Sequence, residues 1–288
     1  MIKSAVLFFL SVGFALSLQS QDMEAYKFYT ARGKKADFEK VVKAGIASDV
    51  ILFGEFHNNP ICHWLQLELT KAIAAEKNIA LGAEMFETDD QVVIDEYLQG
   101  FIKLDHLKKE AKIWPNFETD YQPLLEFAKD NQLPFIATNV PRRYASLLSK
   151  RGMAALDSLS ATAKSFMPAL PFKVTTNDAG YINMREMMGI HMQGALENFI
   201  AAQALKDYTM ASNIYKNLPE DGVFIHYNGS FHSQNFSGIY NYLKNQNSAL
   251  NIVTISVVEA DDISNFDDEW ENLGDFILVI PSSMTKTH

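Results

Sequence analysis

Cysteine is almost missing from this chain: 288 residues contain only Cys62. One cysteine cannot close an intrachain disulfide, so an oxidising environment is not used for stability. Free cysteine is most often buried, and Cys62 is read first as a core residue, then as a nucleophile or ligand beside His63. Basic residues are in the minority, 25 Lys and Arg against 35 Asp and Glu, giving a net charge of −10 and a pI near 5.2. Phosphate backbones are bound by concentrated Lys and Arg, so no nucleic-acid partner is expected. Long polar and low-complexity tracts are also lacking, and 48% of the side chains are hydrophobic. Disorder is excluded, and the chain is long enough to bury a full core.

The N-terminus has its own character. Lys3 precedes an apolar stretch over residues 5–18, and Ser17 and Ser20 are small enough to flank a cleavage point. Residues 1–20 therefore read as a secretory signal peptide. The alternative, a membrane anchor, needs roughly 20 apolar residues, and polar Gln19, Ser20 and Gln21 follow too soon. No cysteine stands there, so a lipobox is absent and lipoprotein processing has no acceptor. The expected protein is exported, periplasmic or secreted, with residues 21–288 as a single domain.

Helical spacing over residues 38–47 leads into Val50-Ile51-Leu52-Phe53, an apolar run that stops at Gly54 and delivers Glu55 and His57. Pro60 sits where a helix begins, and Ile61, Leu65, Leu69, Ala72 and Ile73 recur on one face. Ile79-Ala80-Leu81-Gly82-Ala83-Glu84 reads as a second strand ending in a carboxylate. The resulting strand-helix-strand crossover is expected to be parallel and right-handed. Residues 88–130 read as helical with a solvated charged face. A third strand over residues 133–138 runs into Asn139-Val140-Pro141-Arg142-Arg143.

Residues 144–218 lack strand signals, are rich in Ala, Met, Leu and Gln, and are divided by Pro168 and Pro171. They are expected to form a helical lobe inserted between strands. Strand signals return over residues 222–227, 251–258 and 276–280. The fold class that follows is α/β: a mainly parallel sheet flanked by helices, with an inserted helical lobe. Ligands of such sheets bind outside the carboxyl ends of the strands.

Glu55, His57, Glu84 and His232 all fall at or just past expected strand ends. Carboxylates with imidazoles ligate zinc or another divalent metal such as manganese, and equally serve as general acid and base. Gly54-Glu55-Phe56-His57 and Gly229-Ser230-Phe231-His232 each place a glycine three positions before a histidine. Glycine admits the close backbone approach that a ligand site needs. His63, six residues after His57, starts the following helix and faces either the site or the core.

These residues resemble the ChaN-like family, haem-binding uptake proteins of the superfamily that includes Tiki and erythromycin-esterase-like proteins. The matching motifs are Gly54-Glu55-Phe56-His57-Asn58-Asn59-Pro60 with His63, Gly82-Ala83-Glu84-Met85-Phe86, and Trp114-Pro115 before Tyr121. Ala137-Thr138-Asn139-Val140-Pro141-Arg142, Ala202-Gln203-Ala204-Leu205-Lys206-Asp207 with Met210-Ala211, and Gly229-Ser230-Phe231-His232 complete them. The resemblance spans about residues 45–240. It implies a bacterial, exported protein that binds haem through a tyrosine, as a homodimer enclosing the cofactor, and works with an outer-membrane haem uptake system. The family is often lipid-anchored, and the missing lipobox cysteine departs from that pattern.

The same resemblance carries an alternative. The wider superfamily includes hydrolases whose Glu and His residues match Glu55, His57, Glu84 and His232 in motif. In that reading the ligand is a small-molecule ester or amide. His57 or Glu55 activates water, with or without a metal held by Glu55, His57, His63, Glu84 and His232, and Arg142 stabilises negative charge. For haem, the segment from Gly180 to Met192 offers Tyr181 as iron ligand and Arg185 or His191 as propionate partners. By spacing alone the same segment also reads as a Met-rich packing face.

Overall fold

The computed structural model describes residues 24–175, 177–188 and 194–288. The leader expected over residues 1–20, and His191, lie outside the described residues.

Among the described residues eight strands form one sheet: β1 (Lys27–Thr30), β2 (Lys35–Ala36), β3 (Val50–Glu55), β4 (Ile79–Glu87), β5 (Phe135–Asn139), β6 (Val223–Gly229), β7 (Ile252–Ala260) and β8 (Phe276–Pro281). Their order is β2-β1-β8-β7-β3-β6-β4-β5. The pairs from β8 to β5 are parallel, and β1 pairs antiparallel with both β2 and β8. The short β1–β2 hairpin is not foreseen by the sequence reading, because four and two residues carry too little pattern.

Helices α1 (Phe38–Ile46), α2 (Pro60–Ala74), α3 (Gln91–Leu98), α4 (Leu104–Glu110) and α5 (Gln122–Asp130) cover one face of the sheet. Helices α6 (Arg142–Arg151), α7 (Ala161–Ser165), α8 (Ala179–Met188) and α9 (Leu196–Lys216) lie between β5 and β6. Of these, α8 and α9 join α10 (Ile239–Gln246) on the opposite face, while α6 and α7 pack outside α9. The helices between β5 and β6 thus supply the sheet's second layer. Among the described residues no helix is long and apolar enough to cross a membrane.

Period-two alternation assigns the faces. Ile51 and Phe53 of β3 enter the core under α1–α5, whereas Val50 and Leu52 enter the core under α8–α10. Strands β4 and β6 divide in the same way, Leu81 and Ile225 to the first core, Ala80 and Phe224 to the second. Burial on both faces is why these strands read as continuous apolar runs.

Two local features prepare the site. Helix α2 starts where Asn59 accepts the Ile61 backbone N–H at 3.0 Å and Pro60 occupies the first turn, so the helix begins close to the end of β3. Strand β6 inserts between β3 and β4, with Glu55 opposite Gly229 in the β3–β6 register. The crossover through α2 therefore skips one sheet position, and that position brings Gly229 between the two acidic strand ends.

Candidate functional site

Parity along the strands sends the two carboxylates to opposite faces. Glu55 follows Phe53 and faces α2; Glu84 follows Ala80 and Gly82 and faces α9. Each gathers its own network.

On the first face Glu55 is buried and accepts three hydrogen bonds. His57 Nδ1 and the Tyr121 hydroxyl each donate to Oε1 at 2.8 Å, and the Gln66 amide donates to Oε2. His63 Nδ1 stands 3.7 Å from the same carboxylate. Burial raises the Glu55 pKa, but His57, His63 and the Gln66 amide outweigh it and hold the group below the ordinary range. Burial likewise disfavours a charged His57, yet Glu55 and Glu84 carry its pKa upward. Because a carboxylate only accepts, His57 Nδ1 is the protonated nitrogen, and Nε2 makes no hydrogen bond among the described residues.

The backbone of the His57 loop is clamped as well. The His57 carbonyl accepts from the Asn116 amide at 2.8 Å and from His63 Nε2 at 3.1 Å, and Trp114 packs edge-on to the imidazole at 5.0 Å. His63 thus serves the site by holding this loop.

On the second face His232 lies between two carboxylates, with Nε2 3.1 Å from Glu84 Oε1 and Nδ1 2.5 Å from Asp207 Oδ1. Both ring nitrogens must donate, so the ring is an imidazolium. Burial alone would lower its pKa, but Glu84 and then Asp207 push it up to about 10. Glu84 is held well below the usual carboxylate range, since His232 and His57 outweigh its burial. Its Oε2 accepts the Gly229 backbone N–H at 2.9 Å, and its carbonyl accepts the Asn139 amide at 3.0 Å. Nearby His226 is fully buried, bonded to Thr138 and Asn228, and pushed down to about 4 by desolvation, so it is a neutral structural histidine.

The two networks meet over Gly229. A Cβ there would stand 2.8 Å from His57 Nε2 and 3.5 Å from Glu84 Oε2, so glycine leaves the space between base and acid open. Gly54 answers a similar need one strand away, where a Cβ would lie 2.9 Å from the Ile255 carbonyl and 3.0 Å from Ser230 Cα. A cavity of about 690 Å³ opens above, walled by His57, Phe56, Phe231, His232, Lys286 and His288. The Ser230 hydroxyl also borders it, buried and without a hydrogen-bond partner among the described residues.

Glu55, His57, His63, Glu84 and His232 are therefore neighbours, but as two paired networks rather than one converging donor set. Among the described residues no three His, Cys, Asp or Glu side chains are arranged to hold a metal ion. Both nitrogens of His232 and both oxygens of Glu55 are already engaged with protein partners. The donors do not fit a preformed zinc or manganese centre.

Arg142 lies in a separate cavity of about 440 Å³ with Glu87, Lys112, Trp114 and Arg143, whose Trp114 packs against the His57 ring. Tyr181 is 1% exposed and donates its hydroxyl to Asp207 Oδ2 at 2.6 Å, which attaches it to His232 from beneath. Arg185 makes a two-bond ion pair with Glu197 at 2.9 and 3.0 Å. Sequence reasoning does not single out Gln66 or the site role of Asp207. Each is a polar side chain in a buried helical stripe, beside Leu65 and Leu69 or Ala204 and Ala211, and that mismatch was the available signal.

The family described as haem-binding uptake, Tiki superfamily, ChaN matches residues 41–243. The fold resembles a structure of ChaN from Campylobacter jejuni solved for cofacial heme binding, with a TM-score of 0.68 and 17% identity over 89% of this chain and 97% of that one. A Bacillus cereus protein matches with a TM-score of 0.51 and 10% identity over 89% and 95%. Among curated proteins, RETICULATA-RELATED 5, chloroplastic, of Arabidopsis thaliana is 23% identical over 206 residues, 66% of this chain. The match spans only 27% of that relative's length. At these identities the two solved structures speak for the fold. The chain belongs to the ChaN haem-binding uptake family of the Tiki superfamily.

Proposed function

From membership of a haem-binding uptake family, we propose that this protein binds haem in the crevice above β3, β6 and β4 and serves haem or iron acquisition. The observation that carries the placement is His57 Nε2, an uncommitted nitrogen facing a cavity of about 690 Å³. That volume lies within the roughly 300–1,000 Å³ common for small-molecule sites. Haem, when bound, would supply an iron able to take a nitrogen or oxygen donor from the protein.

The chain's own residues suit that donor. Glu55 fixes the His57 tautomer, and Tyr121 and Gln66 fix Glu55, as partners behind a metal-bound histidine do. Phe56 and Phe231 offer apolar surface for the porphyrin. Export, a periplasmic or secreted location, an outer-membrane uptake partner and a homodimer belong to the same proposal.

Hemin titration followed by absorption tests it. A saturable Soret shift that is lost in His57→Ala supports the crevice. The other placement, on Tyr181, Arg185 and His191, requires the shift to disappear in a Tyr181→Phe, His191→Ala variant. No Soret shift at micromolar hemin removes the haem reading.

A second reading rests on His57 and Glu84 facing each other across Gly229. An imidazole oriented by Glu55 can take a proton from a water that attacks an ester or amide carbonyl. This Glu/His-dependent hydrolase is supported by turnover of small esters or amides that vanishes in His57→Ala without bound haem.

A further inference from the structure

The separate cavity of about 440 Å³ carries a positive and a negative group that the protein leaves unsatisfied. Glu87, at the end of β4, stands opposite Asn139 in the β4–β5 register, and Arg142 follows Asn139 closely at the start of α6. Both side chains line the cavity. Glu87 is 8% exposed, yet its Oε2 accepts no hydrogen bond among the described residues. Lys112 Nζ stands 3.5 Å from that oxygen and gives shorter bonds to Asp89 at 2.9 Å and Asp90 at 2.7 Å. Leaving a buried acceptor unpaired is costly, so Glu87 favours a ligand that donates.

The cations of the same wall divide in a similar way. Arg143 is committed to Asp89 at 2.6 Å, whereas exposed Arg142 makes no hydrogen bond or ion pair among the described residues. No side chain caps α6, so its first-turn N–H groups add to the positive field at that end. Ile113, Trp114 and Pro115 complete the lining with apolar surface.

Charge complementarity narrows the occupant. A simple anion meets the Glu87 carboxylate, and a simple cation meets Arg142 and Lys112. A molecule with an ammonium and a carboxylate on one carbon satisfies both ends, each through a charge-assisted hydrogen bond. The apolar lining suits a hydrophobic side chain on that carbon, and the volume lies within the common range for small-molecule sites.

We propose that this cavity binds a free α-amino acid with an apolar side chain, its carboxylate on Arg142 and its ammonium on Glu87. The proposal does not depend on what occupies the His57 crevice.

Isothermal titration calorimetry of the full chain with leucine and with phenylalanine tests it. Each is compared with its amide, which loses the carboxylate charge, and with its N-acetyl derivative, which loses the ammonium. At least one of the two amino acids is expected to bind saturably, and its two derivatives about 10-fold more weakly or less. Arg142→Gln changes an exposed side chain and should weaken binding about 10-fold with the thermal midpoint unchanged. Glu87→Gln, which keeps the shape and removes the charge, should weaken the amino acid but not its N-acetyl derivative. Absence of saturable binding by either amino acid overturns the proposal. So does a derivative that binds as tightly as its parent, or an Arg142→Gln protein of wild-type affinity.

Discussion

His57 and Glu84 belong to different strand ends and different hydrogen-bond networks, yet both face the place where a Gly229 Cβ would be, at 2.8 and 3.5 Å. The imidazole nitrogen there is uncommitted, and the carboxylate is held by a backbone N–H and an imidazolium. Whatever occupies the crevice meets an oriented nitrogen and a fixed negative charge together.

Gly229→Ala should therefore act on binding before it acts on the fold. Gly229 has φ −55°, which alanine tolerates, so the new methyl meets only His57 and its surroundings. Overpacking of this kind costs about 1–3 kcal/mol. The expected result is a small fall in the urea midpoint with loss of the hemin-induced Soret shift.

The buried imidazolium gives stability a pH signature. His232 has a pKa near 10 in the folded protein against an ordinary value of 6.5, so its contribution is complete below pH 6.5. It declines as pH rises above that value and is gone beyond about 10. His232→Asn leaves Glu84 and Asp207 facing each other and should cost about 3–5 kcal/mol, the range for breaking a buried pair. Thermal melts across pH 6–10 should show a decline in the wild type that flattens in the variant.

Gln91 blunts the edge of the sheet. Its amide donates to the Phe135 carbonyl at 3.0 Å and accepts the Ala137 N–H at 2.6 Å, imitating a neighbouring strand beside β5. Gln91→Leu should lose about 1–2 kcal/mol and free that edge for pairing between molecules. Urea titration and light scattering at raised protein concentration check the two effects.

Cys62 should be silent in the native state. It is fully buried in the core under α2, and desolvation pushes its thiol pKa up. A thiol reagent should label it only as fast as the protein opens, with the rate rising through the urea transition. Prompt stoichiometric labelling of the native chain would contradict this burial.

Much of this was legible in the chain. The runs ending at Gly54-Glu55-Phe56-His57 and at Glu84, and the Gly229-Ser230-Phe231-His232 turn, are local patterns that doubly buried strands produce. Their ends fall where the sequence reading puts them to within a few residues, and the family motifs select the same residues. The charged span before β5 was less legible. It breaks into α3, α4, a π-helical turn over Phe117–Tyr121 and α5, and that turn places Tyr121 against Glu55.

By itself the sequence determined the α/β class, the family and the strand-end position of Glu55, His57, Glu84 and His232, because alternation and chain-local polarity fix which residues leave a strand. Only the tertiary structure decided which of them are partners. Inserting β6 between β3 and β4 put Gly229 at the junction, and opposite side-chain parity sent Glu55 to Gln66 and Tyr121 but Glu84 to His232 and Asp207. Although they stand one turn apart on the same side of α8, Tyr181 reaches the buried Asp207 while Arg185 pairs with Glu197 at the start of α9, so packing gave neighbouring residues different partners. Strand order and cross-chain pairing are settled by long-range packing, and no window of neighbouring residues contains that information.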